Sequence, residues 1–571
     1  MTTYVKLRKG TSAIAAGNKI TDAYLAAIGE PSARLEAEFY LQPLHRIHLY
    51  SSHIQSLFER GNIKYVQIFS LIAFFILMIA CINFMNLSTA RSAKRSKEVG
   101  LRKVVGAHRH HLIRQFIGES VLITTLALLL ALMLVEFLLP VFNKLAGKNL
   151  ELNFFNLNFV LGLLGILLVT GIVAGSYPAI YLSRFQPAQV LKGKIRTGAG
   201  GVRFRKVLVV FQFTLSIILI ISTLVVYSQL EYIRNKQLGY DKENTVFISA
   251  KGDLKNSYDA VKNKLLKLPL VDEVTSASHI HTNLNNATTG LAWEGLEEEN
   301  KILFYTYSVA PDYFETLGIE LLEGRTFNNT PADTNNIIIN QEAARKMGLA
   351  NPVGVQADFW DRKGKIIGVV KNYHFKPMHD QIEPLVLTFD PNRNDYIIVK
   401  TKTDDVATNL SQLEKLFYRL NPDYPFEYQL LEESLDSLYE AEKRMSRIFD
   451  YFASLAIFIS CLGLFGLASF TVEQRTKEIG VRKVLGASVF RIFLLISKDF
   501  TKLVVIAFLL AVPVAYVAMN QWLHGFAYST NIGISVFVVA GALALLIALL
   551  TVSYQTIKTA RANPVKSLRY E

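Results

Sequence analysis

Two cysteines are all that 571 residues contain, and both, Cys81 and Cys461, lie inside long uncharged runs. That placement argues against a disulfide framework. The phosphate-loop pattern G-x-x-x-x-G-K-[ST] is missing as well. The nearest string, DRKGKII at 361–367, has the Gly-Lys pair but lacks the first glycine and the hydroxyl. A chain without that loop does not bind ATP by that route and must borrow its energy source. No H-E-x-x-H or C-x-x-C occurs. The first nineteen residues, MTTYVKLRKGTSAIAAGNK, have no apolar core of the signal-peptide kind. His108, His110 and His111 cluster, and His279 and His281 alternate on a possible strand. Neither group has a third ligand spaced nearby, so neither is read as a metal site. Acids are outnumbered, 47 against 61 Lys and Arg, for a net charge of +14.

Apolar residues, in contrast, make up 51% of the chain, too many for an ordinary soluble protein of this size. Uncharged runs of about 20 residues, enough to cross about 30 Å of hydrocarbon, recur along it. Seven spans are predicted: the uncharged Tyr65–Ala90, Asn156–Ser183, Val207–Ser228, Tyr451–Val472, Leu503–Trp522 and Gly533–Thr556, and Phe116–Val141, which contains Glu119 and Glu136 but is otherwise Leu-rich. Between the fourth and fifth lies a polar stretch long enough for a core of its own. The basic charge sits in four short segments beside the spans: Arg91–Gln115, Arg184–Lys206, Glu473–Arg491 and Lys558–Arg569. They hold 8, 7, 5 and 4 Lys/Arg against 1, 0, 2 and 0 acids. This is the positive-inside pattern, so the basic balance reports topology and not a nucleic-acid partner. It predicts cytoplasmic basic loops, a cytoplasmic C-terminus and an extracytoplasmic segment 229–446.

The chain also repeats itself. A shift of 380 residues lays SKEVGLRKVVGA (96–107) over TKEIGVRKVLGA (476–487), and Cys81 over Cys461. A shift of 377 lays Ser176-Tyr177 over Ser553-Tyr554 and Pro187 over Pro564. Weaker matches pair SLFERG (56–61) with SLYEAE (437–442). Each repeat thus reads as an outer domain followed by three spans. Residues 1–64 match only the tail of an outer domain and carry no span to export them. The repeat therefore predicts a shortened form of an eight-span, two-domain protein. The expected organisation is 1–64, remnant of the first outer domain; 65–190, first membrane unit; 191–206, basic linker; 207–228, leading span of the second repeat; 229–446, an α+β outer domain; and 447–571, second membrane unit.

Within the repeated decapeptide, Glu98 and Arg102, like Glu478 and Arg482, stand one helical turn apart and support a short helix by about 0.3–0.5 kcal/mol per pair. Gly100 and Gly480 fall mid-helix, where glycine costs about 1 kcal/mol, and suggest close approach of another backbone. Gly106 and Gly486, followed by Ala107 and Ala487, sit where a left-handed cap would end the helix. Positive-inside loops need Lys and Arg, but not a Glu, two spaced glycines and the same order twice. The duplication points to docking. Glu136 is the one carboxylate deep in a span, though near its outer end, and is read as snorkelling. Pro178 and Pro513 are expected to kink or cap their spans. LGLLG (161–165) and LGLFG (462–466) are expected to permit close helix packing.

The decapeptide with its flanking spans resembles the FtsX-like permeases of ABC transporters, the macrolide-exporter class included. VAPDYFETLGIELLEGRTF (309–327), IINQEAARKMGLANPVG (338–354) and GKIIGVVKNYHFKPMHDQIEPLVL (364–387) resemble the periplasmic core domain of the same exporters. The resemblance implies a polytopic helical membrane protein with one α+β extracytoplasmic domain, located in the cell inner membrane. It implies that Glu98, Gly100, Arg102, Lys103, Gly106 and Ala107 form one coupling helix. Glu478, Gly480, Arg482, Lys483, Gly486 and Ala487 would form a second, each docking on one subunit of a separate ABC ATPase dimer. ATP and Mg would then belong to that partner, with no cofactor in this chain. Further implied partners are the bilayer and a periplasmic adaptor or hydrolase. The implied function is export or release of a peptide, lipoprotein, lipid or drug. The alternative is a non-transporting transmitter that activates an extracytoplasmic hydrolase.

Overall fold

The computed structural model describes residues 4–28, 39–50, 63–183, 199–280, 286–294, 302–360 and 362–561, with 282, 284 and 296 singly. The SLFERG string, Pro187, Pro564, His281 and the first half of the 191–206 linker, 191–198, lie outside them. The chain divides into two compact units. One holds Ile233–Ala441, the described N-terminal residues and the short stretch Gly525–Tyr528. The other holds Tyr65–Tyr232, Glu442–His524 and Ser529 onward.

In chain order, α1 (Ala13–Ile28) precedes four long helices: α2 (Ile63–Val104), α3 (Arg109–Ala146), α4 (Leu157–Ser183) and α5 (Ala199–Asn235). The outer unit contributes α6 (Tyr258–Leu265), α7 (Gln341–Met347), α8 (Val406–Leu420) and α9 (Leu431–Leu438). The chain returns through α10 (Glu440–Gln474), α11 (Thr476–Val484), α12 (Val489–Leu523) and α13 (Ile534–Arg561). Among the described residues, seven of these helices are long and apolar enough to cross a membrane: α2, α3, α4, α5, α10, α12 and α13. The end of the expected linker, 199–206, is already helical as the first turns of α5.

In the membrane unit α5, α10, α12, α13 and the span of α2 share one core, with Ile79, Ile217, Ile221, Ala456, Ala507, Ala511 and Ala540 fully enclosed. Several span hydroxyls fold back on their own helix, as Thr214 does to the Val210 carbonyl at 2.9 Å. Helices α3 and α4 pack on each other, where a Cβ at Gly175 would lie 2.7 Å from Ser120 Oγ. The LGLLG glycines do not serve this contact. Gly162 and Gly165 face open space, whereas Gly463 of LGLFG meets Asn83 and Gly466 meets Leu87. The four-residue phase explains the difference: Gly171, Gly175 and Ala179 fall on the α3-facing stripe of α4, and Gly162 and Gly165 do not. Pro178 and Pro513 lie inside α4 and α12, not at caps.

The outer unit is α+β, with two sheets. Strands β1 (Thr245–Ser249), β2 (Val271–Ala277), β11 (Tyr396–Thr401) and β12 (Tyr428–Leu430) form an antiparallel sheet in the order β12-β1-β11-β2. The others are β3 (Ala287–Thr288), β4 (Leu291–Trp293), β5 (Phe304–Ser308), β6 (Leu321–Gly324), β7 (Ile337–Asn340), β8 (Gln356–Phe359), β9 (Arg362–Val370) and β10 (Leu385–Thr388). They form a mixed sheet in the order β3-β5-β10-β7-β9-β8-β4, with β6 beside β9. Successive strand residues point to opposite faces. Val246 and Ile248 accordingly pack among the hydrophobic residues of α6 and α8, while Phe247 between them joins a second core. Ile338, Leu385 and Leu387 of the mixed sheet enter that same core, and Ile337, Ile339 and Val386 pack against α7 on the other side. At its centre the Tyr307 hydroxyl lies 2.9 Å from that of Tyr313 and 2.6 Å from that of Tyr373.

Candidate coupling surfaces

Both decapeptides end in the same backbone device. In the first, the Ala107 N–H donates to the Arg102 carbonyl at 2.9 Å and the Gly106 N–H to Lys103 at 3.1 Å. In the second, Ala487 donates to Arg482 at 2.9 Å and Gly486 to Lys483 at 3.1 Å. These paired bonds define a Schellman end, which needs a left-handed residue at the position the glycines occupy. Gly106 has φ +101° and Gly486 φ +88°. The next helix then starts at once. The Ser488 side chain accepts from the Arg491 N–H as its cap, whereas His108 in the first copy makes no side-chain cap.

The two copies differ upstream. Residues 98–104 are the last turns of α2, a single 42-residue helix that includes the span Tyr65–Ser88. The expected short separate helix forms only in the second copy, as α11, nine residues long, divided from α10 at Arg475. That joint is tied across by Arg475 to Asp499 at 3.2 Å.

The motif side chains sort into three roles. Val99 and its counterpart Ile479 are 2% and 4% exposed and anchor each segment inward; Gly480 is buried beside Ile479. Glu98–Arg102 and Glu478–Arg482 form ion pairs at 2.7 Å, all four side chains about half exposed. Solvent screening leaves each pair about 0.5 kcal/mol or less, so they shape the surface more than they stabilise it. Lys103 belongs with the inward anchors. Its Nζ donates to the Ser183 carbonyl at 2.7 Å, beside Arg109 Nε at 3.3 Å from Ser183 Oγ. Burial, then the Arg109 charge, holds the Lys103 pKa below its usual value.

The third set escaped the sequence reading. Leu101, Val104 and Val105 stand out into open space, and so do Val481, Val484 and Leu485, their counterparts at the same 380-residue shift. Val105 is 81% exposed and Leu485 79%. Each copy therefore presents an apolar knob bordered by an exposed Glu–Arg pair. The signal was available in the helical phase: Val99 lies on the opposite side of the helix from Leu101, a separation of about 200° at 100° per residue. Among the described residues no three His, Cys, Asp or Glu side chains converge as metal ligands. The rings of His108, His110 and His111 only pack on one another.

A model of the FtsX-like permease C-terminal region matches residues 70–187 and 451–564, one match per repeat. A model of the MacB-like periplasmic core domain matches 207–416. The chain carries two FtsX-like permease regions with a MacB-like periplasmic core domain between them. Its relatives include the macrolide export ATP-binding/permease protein MacB of Bdellovibrio bacteriovorus, 31% identical over 116 residues, which are 20% of this chain and 17% of that protein. MacB of Aggregatibacter actinomycetemcomitans is 25% identical over 194 residues, 32% of this chain and 30% of that protein. The permease thus spans under a third of these relatives' length, in their permease regions. The solved periplasmic region of MacB from Actinobacillus actinomycetemcomitans aligns at 20% identity over 37% of this chain and 96% of that one, with a TM-score of 0.26. Permeases of this family work with ABC ATPase partners, and this one is a multi-pass membrane protein with an extracytoplasmic α+β domain.

Proposed function

We propose that this permease takes its energy from a separate dimeric ABC ATPase, which holds ATP and Mg and grips the chain at Glu98–Ala107 and Glu478–Ala487. The observation that carries the reading is the repeated apolar knob: Leu101, Val104 and Val105 in one copy, Val481, Val484 and Leu485 in the other, on identically capped helix ends. Exposed aliphatic side chains beside a charged pair suit a cleft in a partner protein. One chain would serve both ATPase subunits, with its basic loops and C-terminus cytoplasmic and residues 229–446 outside, in the inner membrane.

The two copies would transmit motion differently. The first handle continues as helix into its span, so displacement passes along a rod of about 63 Å at 1.5 Å per residue. The second passes through the joint at Arg475, braced by Asp499. The work performed outside would be export or release of a substrate such as a peptide, lipoprotein, lipid or drug. Replacing Val105 or Leu485 with Asp tests the reading, because neither side chain supports the chain's own core. Partial loss of ATPase co-purification from the native host by either single variant, and complete loss by the double variant, is expected at an unchanged melting temperature; full retention by the double variant refutes the assignment.

A further inference from the structure

A groove of about 760 Å³ runs along α12 and reaches Leu549 of α13. Its polar wall is Ser497, Lys498, Thr501 and Lys502; its apolar wall includes Phe493, Val505 and Ile506. Lys498 and Lys502 are exposed, one helical turn apart, and face no carboxylate within ion-pair distance among the described residues. The adjacent acid, Asp499, is engaged by Arg475. Ser497 is 3% exposed, and its buried Oγ has no hydrogen-bond partner. Several other span hydroxyls donate to the carbonyl four residues back, as Ser120 does to Phe116 at 2.9 Å and Thr551 to Ile547 at 2.8 Å, whereas the buried hydroxyls of Thr170 and Thr223 share the unpartnered state of Ser497. A buried hydroxyl without a partner is destabilising.

The first repeat lacks the whole arrangement. At the 380-residue shift Ser497, Lys498, Thr501 and Lys502 correspond to Ile117, Gly118, Val121 and Leu122. Neither the shared membrane topology nor the shared docking motif therefore requires these residues. We propose that the groove binds an anionic phospholipid from the leaflet on the α11 side. The phosphate lies between Lys498 and Lys502 and accepts from Ser497 Oγ. An acyl chain follows Val505, Ile506 and Leu549 toward the midplane. Lysines snorkelling to an interface would account for the two charges, but not for a buried, unpaired hydroxyl on the flank of the same groove and an apolar wall continuing along the helix.

Native mass spectrometry of the full chain, released from nanodiscs of phosphatidylcholine with or without phosphatidylglycerol, decides the matter. Wild type is expected to retain phosphatidylglycerol and shed phosphatidylcholine. At about 1 kcal/mol per lysine near a membrane surface, Lys498→Gln with Lys502→Gln weakens retention about 30-fold. Ser497→Ala weakens it roughly fivefold, and the paired Lys→Arg variant keeps it. The control pair Lys144→Gln with Lys148→Gln, on α3 and just beyond it, leaves retention unchanged. Equal loss in that control, equal retention of both lipids, or full retention by the Lys498/Lys502 variant overturns the proposal. Displacement by millimolar inorganic phosphate overturns it too, because the site would then take a soluble anion.

Discussion

Replacing Gly106 or Gly486 with alanine isolates the backbone geometry of the coupling segments from their contacts. A Cβ at either position would meet nothing within 4 Å, so no clash or lost packing contributes. The whole cost comes from φ, +101° at Gly106 and +88° at Gly486, where an L-residue pays about 1–2 kcal/mol. That energy opens the Schellman end about 5–30-fold more often. The reporters are the Ala107 and Ala487 amides, each held at 2.9 Å by a carbonyl five residues back. Hydrogen exchange on the detergent-solubilised chain should show both amides exchanging 5–30-fold faster in the matching alanine variant, with α2 and α11 protected upstream. Asparagine tolerates left-handed geometry better than alanine, so Gly106→Asn and Gly486→Asn should recover most of the protection. Equal effects of Ala and Asn, or no effect of either, would refute the claim that conformation alone demands glycine there.

Two further predictions concern pH and the outer domain. Buried Asp333 accepts two bonds from Arg325 at 2.8 Å, one from the Asn328 N–H at 2.6 Å and one from Asn336 Nδ2 at 2.9 Å; the guanidinium, outweighing burial, holds its carboxyl at about 2. Its folded pKa lies below the ordinary 3.8, so the roughly 2 kcal/mol it contributes is present above pH 3.8 and lost as pH falls through about 2. Asp333→Asn should cost about 2–3 kcal/mol at neutral pH, read as a lower melting temperature, and should flatten the acid limb of the melting curve; an unchanged limb contradicts the assignment. His374 is buried, with its ring edge-on to Tyr528 at 4.7 Å, and Lys236 lies over the same Tyr528 ring. Burial, then the Lys236 charge, brings the His374 pKa from 6.5 to about 4. Because the folded state keeps this imidazole neutral, its contribution is intact above pH 6.5 and falls by about 2 kcal/mol on going to pH 5. Hydrogen exchange of 525–528, corrected for the intrinsic rate, should accelerate over that interval in wild type and lose the extra acceleration in His374→Phe.

Much of this architecture was legible without coordinates, and the misses have physical causes. Seven long apolar runs announce seven helices, because length and apolar composition alone decide whether a segment can span. They do not say which helix is enclosed. Val207–Ser228 is the heart of the bundle and Phe116–Val141 lies at its margin, yet both read as long apolar runs. Capping glycines are readable because only φ matters to them. The LGLLG glycines misled because glycine permits a close approach without specifying one. The break at Arg475 carries no glycine or proline to mark it, so the separate α11 and the unbroken α2 could not be told apart. The apolar knobs were overlooked because valine and leucine in a membrane protein read as core until the helical phase is set against the buried Val99 and Ile479.

The central claim is that one chain offers two equivalent handles, and the stoichiometry of its complex with the ATPase tests it most directly. Native mass measurement of the complex trapped with ATP is predicted to give two ATPase subunits per permease chain. A single Val105→Asp or Leu485→Asp should reduce this to one, and the double variant to none. One ATPase per chain in the wild type, or two in the double variant, would contradict the account.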